Sequence, residues 1–321
     1  MAKSYDVFNG DADGLCALLQ LRLTSPCDST LVTGVKRDIR LLEQVDAQPA
    51  DQIVVLDVSL DANQKALMRA LHNGARVSWF DHHYHGDIPV HPAFTPHIDT
   101  DPQMCSSLIV DRHLNGQFRA WAIVAAFGDN LDKPARDAAA TLGMKYTDTE
   151  SLRELGVCLN YNAYGESIDD LLYPPADLFA LLSPFSNPHE FMRECDVFES
   201  LQQRMHNDLQ HARSVCVTPI GNGSAYAVLP EASWSRRVVG AYANSLAQRD
   251  PLLAHAVLVA RAGGHLVSIR APLANPRGAV NIARAFQSGG GREGAAGIDF
   301  LPDSETDRFL ETLRLAYQGV D

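Results

Sequence analysis

The stretch SYDVFNGDADGLCALLQLRL, residues 4–23, joins a short apolar run to a helix-like segment through a turn with two acidic residues. We predict a strand over Ser4–Phe8 and a helix over Leu15–Leu23, because apolar residues are dense in both and polar residues and glycines separate them. Asp11 and Asp13 lie in the turn between the two elements. In an open α/β sheet, ligands bind beyond the carboxyl ends of the strands, which is where this turn falls.

The same pattern occurs twice more in the first hundred residues. The apolar run Gln52–Leu56 stops at Asp57, and the run Arg76–Phe80 leads into an Asp-His-His tripeptide at residues 81–83. A helical segment over Ala62–His72 separates the two runs. Strands that alternate with helices predict a parallel sheet with covered faces. We therefore expect three strand ends that carry carboxylates or imidazoles to meet at one rim of this sheet.

The remainder of the chain predicts a second domain. The apolar segment Arg119–Asn130 contains Asp129 and fits a strand or a helix, which periodicity does not decide. The polar stretch Pro188–Ser214 is typical of a helical connector, and strand patterns return after it, including a hairpin signal near residues 256–270. We expect an α/β protein with three parts: an N-terminal parallel-sheet domain (residues 1–188), a helical linker (189–214) and a smaller C-terminal α/β domain (215–321).

Composition excludes several classes of protein. The chain has 321 residues, 46% of them hydrophobic and 21% charged, which is the balance of a globular protein. Nothing in it resembles a secretory signal or a membrane span, and the six cysteines form no CxxC pair, so we expect a cytoplasmic protein without structural zinc. The formal net charge of −12 argues against a surface for long duplex nucleic acid, although a small anionic substrate remains compatible with it.

Carboxylates with imidazole nitrogens are ligands that suit Mn²⁺ or Mg²⁺. Two such ions that share a carboxylate can hold a hydroxide for attack on phosphorus. Each residue alone has a plainer interpretation, because an aspartate after a strand is most often a turn former or a helix cap. It is the joint pattern of an acidic turn, an acid, Asp-His-His and a further acid that favours a metal centre.

This order of motifs resembles the DHH–DHHA1 phosphoesterases, a family that includes RecJ-type exonucleases, nanoRNase/pAp phosphatases and cyclic-dinucleotide phosphodiesterases. The resemblance covers nearly the whole chain and implies a DHH domain followed by a DHHA1 domain. The residues that carry it are Asn9-Gly10-Asp11-Ala12-Asp13-Gly14, Asp57, Asp81-His82-His83, Asp129 and Gly289-Gly290-Gly291.

The resemblance implies a role for each matching residue. It makes Asp11 a ligand of one metal ion, Asp13 a ligand of the other and Asp57 the carboxylate that bridges them. His82 and Asp129 would complete the metal set, which in this family holds two ions, most often Mn²⁺.

The remaining matches are implied to act on the substrate. Asp81 would orient the histidines as part of the catalytic tripeptide, and His83 would contact the scissile phosphate. In the second domain, the substrate-binding residues would be Arg270, Gly289, Gly290, Gly291 and Arg292. The glycines would form a binding loop whose backbone approaches a phosphate closely, and arginine offers a fork of donors. A flexible linker is the alternative for the glycines, and an ordinary exposed strand arginine is the alternative for Arg270.

The chain departs from the family pattern at three positions. Val7 stands where many relatives have a histidine ligand, Asn9 stands where RecJ-type enzymes have an aspartate, and Arg292 stands where a histidine usually follows the third glycine. The first two changes remove ligand groups. Two nearby cations, Lys36 and Arg37, could face the cleft, but a solvated loop is the favoured interpretation.

The expected function is hydrolysis of short oligonucleotides or linear dinucleotides to nucleoside monophosphates. Hydrolysis of polyphosphate or pyrophosphate, hydrolysis of cyclic dinucleotides, and nucleotide binding with weak catalysis remain as alternatives. Neither a membrane nor long duplex nucleic acid is expected as a partner, and a homodimer is compatible with the sequence.

Overall fold

The computed structural model describes residues 2–318, and the chain falls into two compact units, Met1–Gln203 and Arg204–Asp321. The division lies inside one long helix, Val197–Arg213, which occupies most of the predicted linker. Within residues 2–318, no helix is both long enough and apolar enough to cross a bilayer.

The first unit is built on a parallel sheet of five strands in the order β2-β1-β3-β4-β5. The order reverses at β1, so this strand flanks the point where ligands bind in doubly wound sheets. The strands are β1 (Ser4–Asn9), β2 (Thr30–Gly34), β3 (Gln52–Leu56), β4 (Arg76–Asp81) and β5 (Phe94–Ile98).

Helices cover this sheet and extend the unit beyond it. They are α1 (Ala12–Thr24), α2 (Leu60–His72), α3 (Ser106–His113), α4 (Arg119–Gly128), α5 (Asp132–Thr141), α6 (Tyr146–Asn162), α7 (Pro175–Leu182), α8 (Pro188–Glu194) and α9 (Val197–Arg213). The predicted strands β1, β3 and β4 and the predicted helices α1 and α2 are all present, so the parallel-sheet domain is confirmed. The segment that periodicity left open is helix α4, whose residues Trp121–Gly128 are buried on every side.

Burial explains why this parallel sheet forms here. Val7, Val55 and Trp79 lie on neighbouring strands and are fully buried in one apolar cluster. The Trp79 indole nitrogen donates a hydrogen bond of 2.9 Å to the carbonyl oxygen of Val58, which satisfies its polar group inside the core. Strands β2 and β5 form the edges, and their weaker burial accounts for the absence of an apolar run in their sequences.

The second unit is a mixed α/β unit with a six-stranded sheet in the order β10-β11-β9-β8-β7-β6. The predicted hairpin is present as the antiparallel pair β8 and β9, and among the strand pairs of the described residues only β7 and β8 run parallel. The elements are β6 (Val217–Ile220), β7 (Ser224–Leu229), α10 (Ser233–Arg249), β8 (Ala254–Arg261), β9 (Gly264–Arg270), α11 (Ala279–Arg284), β10 (Gly289–Gly291), β11 (Ala295–Pro302) and α12 (Thr306–Ala316).

The glycine tract differs in conformation from the sequence-based prediction. Gly289, Gly290 and Gly291 were expected to form a phosphate-binding loop, but they form β10, an edge strand paired antiparallel with β11. Small residues on both strands allow this close pairing, since Gly290 faces Gly297 and Gly291 faces Ala296.

Candidate metal centre

The acidic turn after β1 places Asp11 at the start of helix α1. Asp11 is 2% exposed, and its Oδ1 accepts hydrogen bonds from the backbone N–H groups of Asp13 (3.0 Å) and Gly14 (3.2 Å), so it caps the helix. A side chain at Gly14 would meet the Asn9 carbonyl oxygen at 2.1 Å, which explains the glycine. The second oxygen, Oδ2, pairs with the ammonium group of Lys36.

Asp57 follows β3 in a strained backbone conformation. Its φ is +56°, in the left-handed region that few residues other than glycine, asparagine and aspartate adopt. Its N–H donates to the carbonyl oxygen of Phe80 at 3.0 Å, and its Oδ1 accepts from the Ser106 hydroxyl at 3.2 Å. The strain is of the kind found at functional sites, and here it turns a buried carboxylate towards the histidines.

The two histidines after β4 lie beside this carboxylate. The His82 Nε2 is 3.5 Å from the Asp57 Oδ1 and 3.9 Å from the Asp129 Oδ2. One ligand atom from each of Asp57, His82 and His83 lies within 4.8 Å of the others. Two ligands about 2.1 Å from one ion are separated by about 3 to 4.2 Å, so these spacings fit a shared divalent cation.

Asp81 orients His83 through a hydrogen bond between their side chains. Asp81 is fully buried, and its Oδ1 receives a 2.7 Å hydrogen bond from the His83 Nδ1, while its Oδ2 has no hydrogen-bond partner among the described residues. Burial disfavours a charged His83, but the hydrogen bond that His83 donates to Asp81 and the negative charge of Asp57 outweigh burial and raise the pKa of His83 to about 9. In the absence of a cation, His83 is therefore protonated at neutral pH.

Asp129 reaches the centre from a helix and not from a strand. It caps the carboxyl end of α4, and its side chain is 24% exposed. Burial raises the pKa of Asp129, an effect that Lys36 opposes. The last acid of the predicted set thus lies beside His82 as expected.

Asp13 is held differently from the other acids. Its two oxygens accept backbone N–H bonds from Ser106 (2.7 Å) and Ser107 (2.8 Å) at the start of α3. These bonds fix the carboxylate at a helix amino terminus, a favourable place for negative charge. A metal-ligand role for Asp13 stays a prediction.

Lys36 is a member of the site that the sequence analysis missed. The expectation of a solvated loop is wrong for this residue, because its ammonium group forms an ion pair with the Asp11 Oδ2. The same nitrogen donates to the Asn160 Oδ1 at 3.2 Å and lies 3.7 Å from the Asp129 Oδ1. The only signal was its position two residues after β2, a strand that the sequence did not predict.

The neighbouring charges shift the pKa values of Asp11 and Asp57 in opposite directions. Burial opposes ionisation of Asp11, but the charge of Lys36 lowers its pKa below the usual range. Burial and the charges of Asp11 and Asp13 raise the pKa of Asp57 well above the usual range. A buried carboxylate with this surplus of negative charge is stabilised by a bound cation, so the donor set and its charge both fit a divalent metal ion.

The predicted substrate-binding residues of the second unit are accounted for separately. The Arg270 guanidinium donates to the Asn244 Oδ1 (2.5 Å) and the Ser268 hydroxyl (3.0 Å), so much of its donor capacity is used within the unit. Arg292 is exposed and lies in the turn between β10 and β11. The substrate-binding roles of Arg270, Arg292 and the glycine tract stay predictions.

Comparison with solved structures identifies the fold. The chain is similar to RecJ in complex with Mn²⁺ from Thermus thermophilus, with a TM-score of 0.66 at 15% identity over 98% of this chain and 51% of that one. A second match is an exonuclease RecJ bound to manganese, with a TM-score of 0.63 at 16% identity over 98% of this chain and 89% of that one. A third is a pGpG-specific phosphodiesterase from Vibrio, with a TM-score of 0.55 at 13% identity over 98% of both chains.

Neither the family models nor the curated protein sequences give a match to the chain. The chain spans about half of the Thermus RecJ. Identities this low establish the fold and leave the activity to be argued from the residues. The order of its elements and the likeness along nearly its full length give the chain the fold of RecJ, with a parallel-sheet domain and a second α/β domain.

Proposed function

We propose that the chain is a divalent-metal-dependent phosphoesterase that hydrolyses short oligonucleotides or linear dinucleotides to nucleoside monophosphates. The observation that carries the proposal is the meeting of Asp57, His82 and His83 at one rim of the sheet, with Asp11 and Asp129 beside them. These groups are scattered in the sequence. No structural role that they share explains why a strained, buried carboxylate lies against two imidazoles.

Mn²⁺ is the proposed cation. Oxygen and imidazole donors without a thiolate favour Mn²⁺ or Mg²⁺ over zinc. Structures with the same fold contain one or the other, as their descriptions state. Asp57 and His82 would hold the ion, which when bound supplies a Lewis acid for the phosphate oxygens and lowers the pKa of a bound water.

His83, which Asp81 orients, would act on the substrate phosphate. The hydrogen bond that the His83 Nδ1 donates to Asp81 holds the imidazole ring and keeps a proton on Nδ1, so that His83 can present positive charge or a donor to the substrate phosphate. Its side chain is 46% exposed, whereas that of His82 is 18% exposed, in keeping with one ring that meets substrate and one that binds metal.

A small substrate agrees with the charge of the chain. A net charge of −12 disfavours long nucleic acid, whereas a local cation reverses the sign at the site. One structural neighbour is described as specific for pGpG, a linear dinucleotide, which supports this size of substrate. We infer that the chain hydrolyses such a substrate in the cytoplasm.

The test is a substrate panel with purified protein and Mn²⁺. It should contain linear dinucleotides, pAp, cyclic dinucleotides and tripolyphosphate, with Asp57→Ala as the inactive control. We expect monophosphate release from the linear dinucleotides that requires Mn²⁺ and is lost in Asp57→Ala.

Other outcomes distinguish the alternatives. Preference for tripolyphosphate over dinucleotides would replace the nucleotide substrate by an inorganic one, and turnover of only the cyclic compounds would make the chain a cyclic-dinucleotide hydrolase. Binding of dinucleotides without any metal-dependent turnover would contradict the enzyme proposal and favour a nucleotide-binding protein.

A further inference from the structure

We propose that the ammonium group of Lys36 takes the place of the second metal ion, so that this centre binds one divalent cation and not two. The inference rests on the proposed function, since it concerns the same centre. It differs from the two-ion arrangement that the resemblance to DHH phosphoesterases implies.

The first step is that Lys36 is held in place at the rim. Its backbone N–H donates to the carbonyl oxygen of Ala163 at 2.9 Å, and its own carbonyl oxygen accepts from the Asn9 side-chain amide at 3.2 Å. The side chain is 28% exposed, and its nitrogen lies 5.8 Å from the centre of the Tyr164 ring. Lys36 is therefore held in place at the site, because its backbone N–H and C=O groups are both hydrogen-bonded and its side chain is mostly buried.

The second step is where the ammonium group lies. It pairs with the Asp11 Oδ2, lies 3.7 Å from the Asp129 Oδ1 and donates to the Asn160 Oδ1 at 3.2 Å. Asp11 and Asp129 are two carboxylates of the metal set that the resemblance implies, and a set of two ions would need both. A divalent cation between them would lie against a positive charge, and both carboxylates already have a counterion.

The third step is that the other ligands for a second ion are missing or engaged. Val7 is fully buried in the core and offers no donor atom. Asn9 uses its side-chain carbonyl oxygen to accept from the Asp11 N–H at 3.2 Å, and Asp13 accepts a backbone N–H on each oxygen. The two departures from the family pattern therefore accompany a lysine that supplies positive charge directly.

Asp57, by contrast, forms no ion pair with a lysine or an arginine within residues 2–318. The His82 Nε2, the His83 Nδ1 and the Ser106 hydroxyl all lie within 4 Å of its Oδ1. The side of the centre at Asp11 and Asp129 thus carries a lysine, which cannot bind a metal ion while it is an ammonium group. The groups beside Asp57 are imidazoles, which are themselves metal ligands, so the side at Asp57 and His82 is the one left for a metal ion.

The experiment is a Mn²⁺ titration of the full chain, with bound ions counted by equilibrium dialysis and metal analysis and their coupling followed by electron paramagnetic resonance. We expect one Mn²⁺ per wild-type chain and a spectrum without exchange coupling between paired ions. In Lys36→Met, Asp11 and Asp129 lose their counterion. We therefore expect a second, weaker Mn²⁺ site to appear and the count to approach two at high Mn²⁺, because Asp11, Asp129 and the shared Asp57 remain as ligands although Val7 offers none. Arg37→Met is the matched control, because it removes a neighbouring cation whose guanidinium is 3.9 Å from Glu166, and its count should stay at one.

The outcomes separate this inference from the proposed function. Two coupled ions in the wild type would overturn the inference and leave the phosphoesterase proposal intact. No bound Mn²⁺ in the wild type would overturn both. A count that stays at one in Lys36→Met would overturn the role given to the lysine. If Lys36→Met does not fold, as judged by circular dichroism, the wild-type count and coupling decide the question by themselves.

Discussion

At the scale of single residues, Asp57 combines three costs that a structural aspartate would avoid. It is 3% exposed, its φ is +56°, and it lies near the carboxylates of Asp11 and Asp13. Each feature destabilises the folded chain when no cation is bound. Function and stability are therefore opposed at this position, as they commonly are at catalytic centres.

This opposition predicts the effect of Asp57→Asn. Asparagine keeps the shape and the acceptor for Ser106, and it tolerates the left-handed backbone, but it carries no charge. We expect kcat/KM to fall at least about a hundredfold, comparable with the loss of a major electrostatic contributor. The thermal midpoint of the metal-free protein should rise, because a buried charge is removed. Scanning calorimetry in the presence of a chelator, with kinetics in parallel, checks both effects, and a lower midpoint would contradict this account.

The sequence predicted those residues of the site that belong to a recognisable motif. Asp11, Asp57, His82 and Asp129 were placed at one centre from sequence and meet in the structure. Lys36 was not, because a lysine has no motif of its own and its position depends on an unpredicted edge strand. Its pairing with Asp11 spans 25 positions, which local pattern cannot reveal.

At the scale of elements, neighbouring glycines of strand β10 differ in how closely other atoms approach them. A Cβ at Gly289 would lie 1.7 Å from the Ala283 carbonyl oxygen, whereas a Cβ at Gly290 would meet no atom within 4 Å. The first glycine is required by packing of β10 against α11, and the second is free of that constraint.

These neighbours make a matched pair of substitutions. Gly289→Ala should lower the free energy of unfolding by about 1–3 kcal/mol, as overpacking does, and Gly290→Ala should leave it nearly unchanged. Thermal unfolding of the two variants measures the difference. Equal destabilisation would show that the close approach at Gly289 does not govern the stability of this sheet edge.

His255 makes a strand of the second unit sensitive to acid. It lies in β8 and is fully buried, and neither ring nitrogen has a hydrogen-bond partner within residues 2–318. Burial lowers the pKa of His255 below its ordinary value of 6.5. The unfolded chain therefore binds this proton more readily than the folded one, so stability is present above about pH 6.5 and is lost as the pH falls below it.

His255→Leu should remove this sensitivity. We expect the thermal midpoint of the wild type to fall more between about pH 7 and 5.5 than that of the variant, because only the wild type gains a proton at position 255 on unfolding. The exposed His206 provides the control in His206→Gln. Parallel decreases in the wild type and His255→Leu would assign the acid sensitivity to other groups.

Elements were predictable where burial is strong. β3 was placed at its observed bounds because both of its faces are covered, and the hairpin of β8 and β9 was indicated by its turn. The edge strands β2, β5 and β10 were missed because solvent on one side removes the apolar run. Helix α4 was ambiguous because a helix that is buried all round has no polar face.

At the scale of the whole molecule, helix α9 belongs to both units. Its amino-terminal part falls in the first unit, and its remainder, from Arg204, falls in the second. There, Asp208 forms a buried ion pair with Arg237 of α10, with the Arg237 Nε and Nη2 each 2.8 Å from the Asp208 Oδ2. The sequence predicted the connector but could not show that a buried contact ties its end to the second unit, because that contact spans 29 positions.

This pair gives a test of the architecture. Removal of one partner of a buried ion pair costs about 3–5 kcal/mol, so Asp208→Ala should destabilise the second unit by this amount. Glu199→Ala, an exposed site on the same helix, should cost little. The double substitution Asp208→Leu and Arg237→Leu should recover part of the loss, since no charge remains buried. Urea unfolding measures all three, and a neutral Asp208→Ala would remove the pair from the account of stability.

The most direct measurement of the central claim is an anomalous difference map, collected at the manganese absorption edge from crystals grown with Mn²⁺. The account predicts a peak within coordination distance of Asp57 and His82, at the carboxyl ends of β3 and β4. Full occupancy of Mn²⁺ elsewhere on the chain, with no peak between these two side chains, would contradict it.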